Sequence, residues 1–161
     1  MTGILITFDF ASMLLLAWVF FYGYRVGEVV SMRSHIVSAL AATGFSVFSH
    51  CMTMMYFAAT GRMIREAVEK ADLDRKYIDQ TKGYRKQAFR LGLLAVLVVM
   101  TNTILGGGAH TKVFPVWVHE YLSIGTLLFN LLAVIVEVRC LIANHLLGHR
   151  VSELYSTKLQ P

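Results

Sequence analysis

The chain has 161 residues, of which 56% are hydrophobic and only 16% charged, with a mean hydropathy of +0.57. Soluble domains carry about 25% charge, so an ordinary water-soluble domain is excluded. The net charge of +5 and pI near 9.4 do not indicate nucleic acid as a partner, because basic residues of membrane proteins gather on the cytoplasmic side whatever they bind.

Charge is also unevenly placed. Eight of the 15 Lys and Arg residues and five of the 10 acidic ones lie between Gly61 and Gln87, whereas the 28 residues from Ser34 to Gly61 and the 21 from Leu91 to Thr111 contain none. Roughly 20 apolar helical residues cross a bilayer core, so each uncharged run is long enough to span. The expected fold is all-α: a single domain over residues 1–161, built as an integral membrane bundle of four transmembrane helices. A charged cytoplasmic helical extension is expected between helices 2 and 3.

The first span is expected over residues 4–24. The chain start lacks a positive n-region and a small-residue cleavage site, so it reads as a span and not a signal peptide. Trp18, Phe20, Phe21, Tyr22 and Tyr24 form an aromatic belt suited to a membrane interface. Asp9 reads most simply as the solvated N-terminal end of this helix, where negative charge is favourable. The second span, 34–61, carries Thr43, Ser46, His50 and Thr53 at helical spacing, a polar stripe expected to face protein. Beyond Gly61, the pairs Arg62/Glu66, Arg65/Glu69 and Glu66/Lys70 are four apart and continue the helix into water. Asp72 to Gly83 reads as its end and a turn.

The third span is expected over 89–108, closed by Gly106, Gly107 and Gly108 as poor helix formers. Pro115 suits the first turn of the fourth span, 115–145. A second polar stripe runs along it through His119, Ser123, Thr126, Asn130 and Glu137. Cys51 and Cys140 both fall inside spans, and no disulfide is expected. Orientation follows from 12 basic residues on the Gly61–Gln87 side against Arg25, Arg33 and Lys112 on the other. Both termini then lie in the cytoplasm, and the charge bias suits a bacterial cytoplasmic membrane.

Counting 1.5 Å per residue places His35, His110 and His119 together in an outer layer. His50 comes roughly 16 Å from the inner end of its span, level with Asn130 to Ala133 and with Met100 to Asn102. A b-type haem in a helical bundle is held by two axial ligands from facing helices, with small residues making room. His35, His110 and His119 are the leading cofactor candidates and Gly106 to Gly108 the space. His50 would need Met54 or Met100 opposite it. The same three outer histidines are candidate ligands for copper or zinc. His50 is a functional candidate by depth alone, although a neutral imidazole bonded to Asn102 or Asn130 would be satisfied without a cofactor. Glu137 lies roughly 27 Å beyond His119, near the inner surface, where it would snorkel to water. Asp9, His50 and Glu137 together are candidates for a proton or metal-ion pathway.

No nucleophile elbow, phosphate loop or paired carboxylate set occurs, so catalysis is not indicated. The leading expectation is an accessory or anchor subunit of a larger membrane complex engaged in electron transfer, with the lipid bilayer and other membrane subunits as partners. The alternatives are a b-type cytochrome exchanging electrons with quinone, and an ion pathway.

Overall fold

The computed structural model describes residues 1–159. It contains four helices, α1 (Thr2–Tyr24), α2 (Met32–Lys70), α3 (Lys76–His110) and α4 (Val116–Leu159). Each is long and apolar enough to cross a membrane. They run alternately up and down: Thr2, at the start of α1, lies level with Tyr56 of α2, while the end of α4 reaches the α2–α3 turn, where Lys158 Nζ donates to the Asp72 carbonyl at 2.7 Å. Each neighbouring pair packs together, and α2 also touches α4 across the middle, while α1 and α3 stay apart.

The helices are longer than the spans read from the sequence. At 1.5 Å per residue, the 39 residues of α2 reach roughly 58 Å, well beyond a bilayer core of about 30 Å. Ser31 begins this helix by accepting the Ser34 N–H on its side-chain oxygen at 3.1 Å, so one orphan donor of the first turn is satisfied.

The turn after α2 is shorter than the expected Asp72–Gly83 stretch. It comprises Ala71 to Arg75. Asp72 takes φ 47° there, and Asp74 Oδ1 accepts the Lys76 N–H at 2.9 Å, an aspartate-closed turn that starts α3 at once. Among the described residues, the ion pairs are Arg25–Glu28, His50–Glu137, Lys76–Asp74 and Lys82–Asp79. The expected four-apart pairs of α2 do not close, although the helix itself continues to Lys70. It is held instead by packing, since Ile64 and Val68 of α2, Tyr77 and Ile78 of α3 and Leu147 and Val151 of α4 form a small apolar core at this charged end.

The triple glycine does not end the third helix. α3 runs through Gly106–Gly108 to His110, with Gly106 facing the His119 ring and Gly107 exposed. A Cβ at position 108 would collide with the Phe114 ring. The turn that follows uses Lys112 at φ 60° and delivers Pro115 just before α4.

Within the central bundle, polarity is inverted relative to a soluble protein. Leu14, Phe21, Leu97, Ile104 and Leu128 are exposed, while Asp9, Ser46, His50, Thr53, Asn130 and Glu137 are fully buried. An apolar exterior around a polar interior is the arrangement that a lipid surround would favour.

Candidate functional site

The polar groups form two connected regions. The outer one is a cavity of about 650 Å³ at the end carrying the α1–α2 and α3–α4 turns. Its walls include His35 from α2, His110 from α3 and His119 from α4, together with Gly23, Gly106, Gly107, Asn102 and Thr126. The three outer histidines of the sequence reading therefore border one space. Tyr24 bridges its rim by donating its hydroxyl to Glu120 Oε1 at 2.8 Å.

His35 and His119 are placed in the same way. A Cβ at Gly23 would come within 3.0 Å of Cε1 of His35, and one at Gly106 within 2.8 Å of Cε1 of His119. Each imidazole thus occupies a hollow left by a missing side chain on the preceding helix. The Nδ1 of each ring is buried without a hydrogen-bond partner. His110 is exposed at the C-terminus of α3, on the cavity rim. Among the described residues, no three His, Cys, Asp or Glu side chains converge on a point where one ion could be held.

The inner region lies at mid-bundle. His50 Nδ1 is 2.8 Å from Glu137 Oε2, and Nε2 is 3.2 Å from Asn130 Oδ1. Asn130 turns its Nδ2 to the Thr126 carbonyl at 2.9 Å, and a carbonyl only accepts. Its Oδ1 is therefore the atom facing His50, so Nε2 carries a proton and donates it. Ser49 Oγ–H donates to Asp9 Oδ1 at 2.5 Å, and Ser46 reaches Asn130 Oδ1 at 3.5 Å. Asp9 Oδ2, Glu137 Oε1 and Thr53 Oγ1 are buried without partners.

Two expected positions are corrected by this geometry. Asp9 is no solvated helix end: α1 begins at Thr2, which leaves two turns outside it, and the carboxyl is closed over by Ser49. Glu137 does not snorkel. The rise of roughly 27 Å from His119 takes no account of the side chain, which is fully buried and turned into the bundle to meet His50. The space comes from Gly92 of α3, where a Cβ would collide with Glu137 Oε1. Asn130, and not Asn102, is the amide on His50; Asn102 instead accepts from Ser123 at 3.2 Å. His50 spends both ring nitrogens on protein and leaves none for Met54, Met100 or a metal.

Ser49, Gly23 and Gly92 were not anticipated from the sequence. One signal for Gly23 was present: Gly23 precedes His35 by 12 residues and Gly106 precedes His119 by 13, the same arrangement across two helical turns. Comparison with protein-family models, curated proteins and solved structures finds no match to this chain.

Proposed function

We propose that this chain is a membrane-embedded electron carrier that holds a b-type haem in its outer cavity, with His35 and His119 as axial ligands. One observation carries the reading: two imidazoles from different helices, each seated on a glycine and each with an unpartnered Nδ1, border a single cavity. Its volume of about 650 Å³ falls in the range of small-molecule sites, about 300–1,000 Å³. The apolar residues around it, among them Leu16, Val19, Phe20 and Leu127, suit a macrocycle. His110 lies at the rim, where it would meet a polar substituent of the ligand. When bound, the haem supplies one-electron chemistry, and its potential is set by the two imidazoles and the low polarity around them.

An electron carrier without a catalytic centre of its own needs a donor and an acceptor. The reading therefore includes service within a larger membrane redox complex, with quinone as the alternative source of electrons. The exposed apolar belt supports a lipid surround. The basic residues at the charged end support a cytoplasmic location for both termini, in a bacterial inner membrane.

The test is the absorption spectrum of the detergent-purified chain, oxidised and then reduced with dithionite, with iron measured on the same sample. A sharp reduced α-band with one iron per chain is expected, lost in His35→Ala and His119→Ala and retained in His50→Gln. A featureless spectrum without iron from cells supplied with haem would sink the proposal.

A further inference from the structure

We propose that His50 and Glu137 form a proton-exchange site in the middle of the bundle, which takes up and releases one proton through the outer cavity at Nε2 of His50. This goes beyond the haem reading and does not rest on it, since all its groups belong to the chain.

The hydrogen bonds define which proton moves. Asn130 presents an acceptor to Nε2 because its amide nitrogen is already committed to the Thr126 carbonyl, so the structure holds the site with a proton on Nε2. The second proton lies between Nδ1 and Oε2, which are 2.8 Å apart. With both protons present, the imidazole and carboxyl are neutral together, whichever atom holds the shared one. Release breaks the Nε2–H bond, forms an O–H bond on a water of the cavity as hydronium, and leaves Nδ1–H donated to the carboxylate with a net charge of −1. Uptake reverses each step. The released state turns the Nε2 lone pair toward the Asn130 oxygen, so Asn130 favours the loaded one.

The position of the site gives the direction of exchange. Nε2 faces Asn130, which hangs from the Thr126 turn, and Thr126 borders the outer cavity. Nδ1 faces inward to Glu137. The Thr126 hydroxyl is buried without a partner, as a group on a water route would be, because nearly all buried polar atoms in proteins are satisfied. Every element packed here has been considered for charge. α1 contributes Asp9, whose Oδ2 lacks a donor. α2 contributes His50 and the unpartnered Thr53. α3 contributes Gly92 against Glu137 and no titratable side chain in contact. α4 contributes Glu137 and, one turn on, the Cys140 thiol. Ionisable groups buried together at this depth are costly, which by default marks them as a functional site.

The test is solid-state nitrogen NMR of the full chain in lipid bilayers, with ¹⁵N-labelled histidine rings and the pH varied over the range where the helices stay folded by circular dichroism. One histidine, identified by its absence in His50→Gln, is expected to lose the proton from Nε2 as the pH rises and to keep one on Nδ1. In Glu137→Gln that transition is displaced by about one to three pH units, the effect of losing an opposite charge at hydrogen-bond distance. Thr126→Ile is expected to slow hydrogen–deuterium exchange at Nε2 several-fold. Should Glu137→Gln fail to fold, Ser49→Ala, which frees Asp9 Oδ1, is expected to move the same transition. A His50 signal that is invariant with pH in the folded wild-type chain overturns the exchange site, and an exchange rate unchanged in Thr126→Ile overturns the outer route. Because these signals do not need haem, a chain without haem that still titrates separates the two proposals.

Discussion

The imidazole of His119 lies in the hollow of Gly106, so that even a methyl group there would stand 2.8 Å from Cε1. Gly106→Ala is therefore expected to push the ring aside and to cost about 1–3 kcal/mol through overpacking. Under the haem reading, the reduced α-band weakens or vanishes in this variant while helix content by circular dichroism stays at the wild-type level. Gly44→Ala, a helical glycine outside the cavity with nothing within 4 Å of the added carbon, is the matched control and should leave the spectrum intact.

Gly92 has the corresponding role at mid-bundle. Gly92→Ala places a methyl against Glu137 Oε1 and should lower the thermal midpoint in detergent, again by about 1–3 kcal/mol. Gly61→Ala, also helical but with nothing within 4 Å, should raise it slightly, by roughly 0.5–1 kcal/mol from the glycine backbone entropy removed. A stabilised Gly92→Ala would show that Glu137 is not held where α3 meets α4.

Removal of the Glu137 side chain should cost more than its replacement by an amide. Glu137→Ala leaves the Nδ1 side of His50 buried without a partner, a loss of about 3–5 kcal/mol if the two groups form an ion pair. Glu137→Gln keeps the shape and an acceptor, and its midpoint should fall between those of wild type and Glu137→Ala. Equal midpoints for the two variants would show that the hydrogen bond to His50 contributes nothing.

The two stripes of polar residues could be read from the sequence because helical periodicity is a local property. Thr43, Ser46, His50 and Thr53 recur on one face, as do His119, Ser123, Thr126, Asn130 and Glu137, and an uncharged run needs no tertiary knowledge to be recognised. The grouping of His35, His110 and His119 followed from counting rise per residue. Counting along one helix failed for Glu137, because what buries it lies on two others: His50 of α2 at Oε2 and Gly92 of α3 at Oε1. Gly106–Gly108 misled for a different reason: glycine is a poor helix former in isolation, whereas here Gly106 and Gly108 face His119 and Phe114, side chains outside the helix. The pairing of His50 with Glu137 joins residues 87 apart, and no local pattern encodes it.

Asp74 offers a test at the charged end. The Lys76 N–H and then the Lys76 ammonium hold its carboxyl below the ordinary carboxylate range. A lowered value in the folded state stabilises the fold at any pH above the unfolded carboxylate range, and the effect is lost as pH falls through the lowered value. Asp74→Ala should thus reduce the thermal midpoint at neutral pH, and the difference from wild type should shrink and disappear on acidification. A difference that persists in strong acid would mean that the turn depends on residue 74 for shape and not for charge.

The division of the central polar core among three helices has a consequence for how the chain is made. An acidic side chain at the centre of a lone inserted helix costs about 2.5–3.5 kcal/mol, and α1 and α4 each bring one. Asp9 finds Ser49 as soon as the first hairpin closes, because those residues belong to α1 and α2. His50 has no such early partner and must wait for Asn130 and Glu137, which arrive on the last helix. Without α4, the three preceding helices would leave both ring nitrogens of His50 without these partners. Docking of α4 is thus the step that closes the polar core around His50.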